Sequence, residues 1–224
     1  MTVIPETRDI ILNAAEARFA VQGFAATPIK SIAADARVNS ALLYYYFADK
    51  EALYAAVISR LIERLAVEMA HAMEGATAPA EIIQLFVRRQ GELFAAHPRL
   101  IKLLGRELVD HEAAHAQDAI RHLAATTFER LHRTVRAGQR AGLFRADFDP
   151  RFAAISIVAQ TAYFYFARPA VEILLNDGRA LPRRIPAAFA EHVANFSLAA
   201  LAPPRAAPKR RTARIKSRKK GLAS

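Results

Sequence analysis

Cysteine is absent from the 224 residues of this chain. Disulfide bonds, thiol nucleophiles and cysteine-based zinc sites are therefore excluded. The absence fits a reducing compartment, and we expect a cytoplasmic protein. We expect no signal peptide either, because the opening residues, MTVIPETRDI, have no apolar core of the required length and carry acidic residues.

Apolar runs long enough to cross a membrane are also lacking. The nearest approach is the run at residues 152–167, FAAISIVAQTAYFYFA, which is 16 residues long. A membrane-spanning helix needs roughly 20 residues, and this run also contains Ser156, Gln160 and Thr161. We therefore expect a helix packed between protein surfaces and no membrane partner.

Alternating segments typical of β-strands are not found, and glycine is sparse, with eight residues in the chain. Hydrophobic residues make up 53% of the sequence, enough for a substantial core. Alanine, the strongest helix former, is abundant. The pattern predicts an all-α fold of about nine helices.

Acidic residues are missing from the C-terminal tail, residues 203–224, which holds nine basic residues. Removing these nine from the chain's 32 basic residues leaves 23, against 21 acidic residues. Most of the formal charge of +11 therefore lies in the tail. We predict a disordered tail that seeks polyanions, with a solubilising tail of no specific role as the alternative.

Two short helices joined by a tight turn are predicted near the N-terminus, at about 29–36 and 40–46. Thr27-Pro28 is typical of an N-cap followed by proline at the first helical position. Asn39 is the expected N-cap of the second short helix, and Asp49 that of a longer helix. The arrangement indicates a helix-turn-helix, whose second helix can enter a DNA major groove.

The segment from Gly23 to Leu53 resembles the DNA-binding domain of the tetracycline-repressor (TetR) family of bacterial regulators. The matching pieces are Gly23-Phe24, Thr27, Ile32-Ala33, Val38, Leu43 to Phe47 and Lys50 to Leu53. Residues 152–175, with FYFARP at 164–169, also look like a C-terminal domain seen in this family. The resemblance implies a transcriptional repressor that binds a palindromic operator as a homodimer and is released by a small molecule.

The resemblance also implies the roles of two regions, a DNA-binding domain at 1–50 and a helical ligand-binding and dimerisation domain at 51–202, which the basic tail at 203–224 follows. We expect the dimer interface on the helices from Arg151 to Leu175 and from Ile185 to Leu201. In this family the effector cavity lies among the middle helices of the C-terminal domain. Our candidates for its lining are Phe86, Gln90, Phe94, Arg106, His122, Gln160 and Tyr163.

Side chains that can contact DNA lie on or beside the second short helix. Ser40, Ala41 and Leu42 open it, where a hydroxyl can bond to a base edge and apolar groups can touch thymine methyls. Thr27 lies at a helix start, where free N–H groups suit a phosphate. The resemblance adds three positions that usually contact phosphates in the family: Tyr44, Tyr45 and Lys50.

Two features depart from the family pattern. Arg37 occupies a turn position where the family usually has glycine, and a positive φ there would cost about 1 kcal/mol or more. The first 50 residues hold five basic and five acidic residues, although phosphate neutralisation normally supplies much of the affinity for DNA. We hypothesise that the tail supplies part of that charge. The alternative is a less specific nucleic-acid binder driven by the tail.

The sequence HEAAH at 111–115 matches H-E-x-x-H, the pattern of a zinc metallopeptidase helix. On a helix predicted at 112–141, a helical wheel puts His111, His115, Asp118 and His122 on one polar face. A catalytic zinc also needs a third ligand and a shaped cleft, and no partner motif is evident. We interpret the stripe as solvated, with a divalent-metal effector site and, remotely, a zinc hydrolase as alternatives. No enzymatic activity, cofactor or metal is expected.

Overall fold

The computed structural model describes residues 6–204, so the predicted tail lies almost entirely outside the described residues. Within them the fold is all-α, as predicted, with eleven α-helices and one π-helical turn. In chain order these are α1 (Thr7–Gln22), α2 (Ile29–Asp35), α3 (Ser40–Tyr46), α4 (Lys50–Ala72), α5 (Pro79–Ala96), α6 (Pro98–Asp110), α7 (Gln117–Leu123), the π-helical turn (Ala124–Phe128), α8 (Glu129–Arg140), α9 (Pro150–Phe166), α10 (Arg168–Asn176) and α11 (Arg184–Leu201).

The first three helices form a small bundle that the start of α4 completes. Ile11, Ala15 and Phe19 repeat every four residues along α1 and are fully buried. Ile32 of α2 and Leu43 of α3 fill the same core. Helices as short as α2 and α3 are marginal alone in water, so this shared packing is what holds them in place.

Two of the three predicted N-caps are present. The side-chain oxygens of Asn39 and Asp49 each accept a hydrogen bond of 2.7 Å from the backbone N–H three residues further on. The prediction that Thr27 caps α2 is wrong. Its hydroxyl donates instead to the Gly23 carbonyl at 2.6 Å, and this bond closes the turn between α1 and α2.

Helix α5 lies at the centre of the C-terminal bundle, in contact with α4, α8, α9 and α11. Gly91 allows α11 to approach closely, because a Cβ at this position would lie 3.0 Å from the Cβ of Ala190. Tyr165 of α9 donates its hydroxyl to the Gly91 carbonyl at 2.7 Å. Since α4 begins beside α3 and continues into this bundle, one continuous helix belongs to both parts of the molecule.

The helix predicted at 151–175 is two helices, α9 and α10, with a break at Ala167. Pro169 explains the break, because it has no N–H to continue the hydrogen-bond pattern of α9. Along α9, Ile157 and Phe164 are buried while Phe152 faces solvent. Within residues 6–204, no helix is both long enough and apolar enough to span a membrane.

The helix predicted at 112–141 begins only at Gln117. Residues 111–116 form turns in which Glu112 and Ala113 have φ values of 51° and 62°, a left-handed conformation that a right-handed helix does not contain. The N–H of Ala113 donates to the Glu107 carbonyl at 2.9 Å. The helical wheel drawn for the H-E-x-x-H residues is therefore wrong, and these residues are arranged by a folded turn.

Candidate DNA-binding surface and effector cavity

The outer face of α3 carries most of the predicted DNA contacts. Tyr45 is 80% exposed and Tyr44 is 50% exposed. Ala41 and Leu42 also reach solvent, and Ser40 is half-buried at the start of the helix. The face therefore presents two phenols beside small and apolar side chains, an arrangement that suits phosphates on one side and base edges on the other.

Of the two predicted DNA contacts outside α3, Lys50 is accessible to DNA and Thr27 is not. Lys50 is held on the surface, where its Nζ donates to the Ala25 carbonyl at 3.2 Å and lies 4.6 Å from the centre of the Phe24 ring. An ammonium group has three donors, so a phosphate can still be bound. Thr27 is fully buried with its hydroxyl already bonded, and its side chain cannot reach DNA.

The turn between α2 and α3 contains Arg37 with φ of 56°. This is the left-handed conformation that the family's usual glycine would adopt without strain. The arginine side chain is exposed. The strain anticipated from the sequence is therefore present.

An apolar cavity of about 340 Å³ lies among α4, α5, α6, α9 and the segment from Ala116 to Phe128. Its walls are mainly aromatic and aliphatic, with only three polar side chains, those of Gln90, Glu107 and Thr127. No lysine, arginine or histidine is among the described residues that line it. The volume falls near the small end of the range for ligand pockets, roughly 300–1,000 Å³.

A larger groove of about 900 Å³ runs along α5 and α11. Charged side chains, among them Arg88 and Glu191, line it. The smaller apolar cavity is the better candidate for an effector site, because such sites are mostly apolar with a few polar groups that fix orientation.

Three of the seven predicted effector contacts line the apolar cavity: Phe86, Gln90 and Phe94. All three lie on the face of α5 that the helical period assigns to the core. Their binding of an effector stays a prediction.

The other four predicted contacts lie outside this cavity. Arg106 is turned toward α1, where its Nη1 donates to the Phe19 carbonyl at 3.1 Å. His122 is exposed on α7, and Tyr163 is exposed on α9. Gln160 donates to Ser197 Oγ at 3.3 Å in a groove between α9 and α11. The chemistry of each residue suits a ligand contact, but its helix turns a different face toward the cavity.

Sequence reasoning missed two polar residues of the cavity, Glu107 and Thr127. Glu107 lies on α6, and nothing in the local sequence distinguishes it from a solvent-facing glutamate. Thr127 lies in the π-helical turn, which changes the helical register so that Ala124, Thr127 and Phe128 all line the cavity. Turns of this kind are often found at functional sites. A regular 3.6-residue period does not predict them.

Glu107 also connects the cavity to the helix-turn-helix part of the molecule. Its buried carboxylate accepts the backbone N–H of His115 at 2.7 Å, and its Oε2 lies 3.2 Å from His115 Nδ1. The His115 ring in turn packs 5.1 Å from the Tyr54 ring and 5.8 Å from the Phe24 ring. Glu107 thus lines the cavity and also holds His115, whose ring packs against the DNA-binding part of the molecule.

The Tyr54 phenol is buried beside the same carboxylate. Burial raises the pKa of this phenol, and the negative charge of Glu107 raises it further. The hydroxyl therefore stays protonated over the physiological range. The aromatic contact between the two parts of the molecule involves a neutral ring.

Comparison with known proteins identifies the architecture. Residues 11–57 match the family of bacterial regulatory proteins called the tetR family, and residues 79–185 match a tetracyclin repressor-like C-terminal domain. The chain is 30% identical over 161 residues to the HTH-type transcriptional repressor NicS of Pseudomonas putida, spanning 71% of this chain and 75% of NicS. This chain belongs to the TetR family.

Other relatives support the same family. The transcriptional repressor SCO4008 of Streptomyces coelicolor is 33% identical over 144 residues, which span 61% of this chain and 67% of SCO4008. The regulator FadR of Bacillus subtilis, solved in complex with stearoyl-CoA, shares the fold with a TM-score of 0.70 at 18% identity. The alignment covers 86% of this chain and 98% of FadR. This TetR-family protein is a DNA-binding transcriptional repressor.

The predicted histidine stripe of this repressor is divided by the fold. His111 and His115 face each other with ring centres 5.0 Å apart at the contact with Tyr54, whereas Asp118 pairs with Arg121 at 2.6 Å on the surface. In the part of the chain that the structure describes, no three His, Asp or Glu side chains are grouped to hold a metal ion.

The repressor also has an apolar outer face formed by α9 and α11. Phe152 of α9 is 68% exposed and Phe196 of α11 is 57% exposed, and both line a shallow groove between the two helices. Exposed apolar patches of this kind usually mark an interaction surface.

Proposed function

We propose that this repressor binds a palindromic operator as a homodimer, with α3 of each subunit in a major groove, and leaves the operator when a small molecule fills the apolar cavity. The observation that carries the proposal is the position of Glu107. It is part of the cavity wall, and it also binds His115, which packs on the helix-turn-helix domain.

The dimer is expected on the α9–α11 face. Burying Phe152 and Phe196 against the same residues of a second copy removes apolar surface from water, at roughly 25 cal/mol per Å². A two-fold interface uses the same patch on both subunits. It would also present two copies of α3 to two half-sites, which a palindromic operator provides.

Communication from the cavity to the DNA-binding domain is expected to pass through Glu107 and His115. A ligand that displaces the α6 wall moves the carboxylate that positions His115. The ring of His115 packs on Tyr54 and Phe24, so the domain carrying α3 can shift relative to the cavity. A ligand changes the equilibrium between two positions of the DNA-binding domain only to the extent that it binds one of them more tightly than the other.

A second candidate function is sequence-independent binding of nucleic acid through the tail. The observation that favours it is the balanced charge of the first 50 residues, five basic and five acidic. Because the DNA-binding domain has no net positive charge, it is expected to gain little of the free energy that comes from releasing counterions from DNA.

Titration of the full-length protein against DNA from upstream of its own gene, and against a shuffled duplex, separates the two functions. The titration is run at two salt concentrations. A preference of about a thousandfold or more supports a sequence-specific repressor. Equal binding to both duplexes that disappears as salt rises supports the tail-driven function instead.

A further inference from the structure

Two buried polar groups of the cavity have no hydrogen-bond partner. These are Gln90 Oε1 and Thr127 Oγ1, and each residue is at most 5% exposed. Thr126 and Thr134, on the same continuous helix, each donate to the carbonyl four residues earlier, but Thr127 does not. Unpaired groups are rare in native interiors. Unpaired atoms of Arg60 and Thr161 lie elsewhere in the described residues. Gln90 and Thr127 differ from them in lining the apolar cavity, where a bound molecule can supply the missing partners.

The charge of the cavity wall restricts what that molecule can be. Glu107 is the only ionisable side chain among the described lining residues, and its carboxylate is held by His115. A negatively charged ligand would lose its hydration in an apolar space and find no cation there. The negative charge of Glu107 would also repel such a ligand. Carboxylates and phosphates are therefore disfavoured.

The other residues that line the cavity favour a ligand that is mostly apolar. Phe86, Phe94, Phe128 and Phe166 surround a space of about 340 Å³. Stearoyl-CoA, which the FadR structure contains, carries an adenine nucleotide and several phosphate charges. Neither the volume nor the lining of this cavity is suited to such a group.

We propose that the cavity binds a neutral, mostly apolar molecule that carries a hydroxyl or amide group, and that Gln90 and Thr127 bind that group. Carboxylates and coenzyme A esters should bind this cavity more weakly than such a neutral molecule. The inference rests on the proposed function only in treating this cavity as the effector site, and it names the chemical class of the effector.

Isothermal titration calorimetry of the full-length protein with three probes of equal chain length tests the ligand class. The probes are 1-decanol, decanoate and decanoyl-CoA. We expect 1-decanol to bind at least about tenfold more tightly than either of the other two. Equal or tighter binding of decanoate or decanoyl-CoA would overturn the proposal, as would the absence of binding by all three.

Two near-isosteric variants test the assigned residues, Gln90→Leu and Thr127→Val. Each is expected to weaken 1-decanol binding roughly three- to tenfold, the effect of removing one hydrogen bond. Each should also raise the melting temperature of the free protein, because an unpaired buried group is removed. If Gln90 and Thr127 had only a structural role, their substitution would not weaken 1-decanol binding while raising the melting temperature.

Gln84→Leu is the matched control, since Gln84 lies on the same helix but is exposed outside the cavity. It should leave 1-decanol affinity unchanged. If both cavity variants bind 1-decanol as the wild type does, the assignment is wrong. These readouts contain no DNA. A bound probe that fails to release operator DNA would therefore contradict the proposed function and not the ligand class.

Discussion

Arg37 holds a backbone conformation that an arginine disfavours, with φ of 56° in the turn before α3. Replacing it with glycine should stabilise the protein by about 0.5–1 kcal/mol, because relief of the strain exceeds the added freedom of the unfolded chain. Urea unfolding at a fixed protein concentration measures the change.

Lys30→Gly is the control for the Arg37 substitution. Lys30 is exposed in the first turn of α2, where replacing a helix former with glycine should destabilise by up to about 0.5 kcal/mol. Equal destabilisation by both substitutions would show that the conformation of Arg37 is not strained.

Single residues also show what sequence reasoning could and could not reach. The caps at Asn39 and Asp49 were predictable, because local backbone chemistry determines them. The positive φ of Arg37 was suggested only by the resemblance to a family that usually has glycine there. The burial of Thr27 was not, since it depends on the Gly23 carbonyl across a turn. The destination of Arg106, which reaches Phe19 of another helix, depends on tertiary packing alone.

At the scale of elements, α8 ends against its own following loop. A Cβ added at Gly138 would lie 2.1 Å from the Phe144 ring, and Phe144 is buried. The ring cannot move away easily, because the Phe144 N–H donates to the Gly138 carbonyl at 3.1 Å. Gly138→Ala should therefore reduce the free energy of unfolding by about 1–3 kcal/mol, measured by urea unfolding.

Gly105→Ala on α6 provides the comparison. Its added Cβ would meet the Phe166 ring at 3.6 Å, an ordinary contact. The substitution should stabilise by about 0.5–1 kcal/mol through helix propensity. A Gly138→Ala protein as stable as the Gly105→Ala protein would contradict the packing described for Phe144.

Periodicity and end signals predicted helices at 29–36, 40–46 and 185–201, and the bounds of α2, α3 and α11 differ from these by at most one residue. The exceptions are informative. The turn at residues 111–116 has an alanine-rich sequence that favours helix, and its bonds to Glu107 decide its shape instead. The π-helical turn that places Thr127 has no sequence pattern of its own. The candidate cavity was therefore predictable only along α5.

At the scale of the whole molecule, dimerisation is expected to depend on the α9–α11 face. The double variant Phe152→Glu with Phe196→Glu places charges in the expected interface. It should sediment as a monomer in analytical ultracentrifugation, whereas the wild type is expected to sediment as a dimer. Val67→Glu, at an exposed valine of α4, should remain dimeric. A double variant that stays dimeric would exclude this face as the interface.

The tail is expected to contribute charge to DNA binding. Truncation after Ala202 removes nine basic residues and no acidic ones. Affinity for operator DNA should fall, and the slope of log affinity against log salt should become shallower by about 0.9 for each phosphate that the protein no longer neutralises. Fluorescence anisotropy at several salt concentrations measures both quantities. Unchanged affinity together with an unchanged slope would show that the tail plays no part in DNA binding.

The central claim, sequence-specific binding through α3, is tested most directly by selecting bound duplexes from a random-sequence library with the full-length protein. The account predicts enrichment of an inverted repeat, and loss of that enrichment for Ser40→Ala combined with Leu42→Ala, because these side chains are the predicted base contacts. Bound duplexes with no common sequence, or the same sequences selected by the variant, would contradict it.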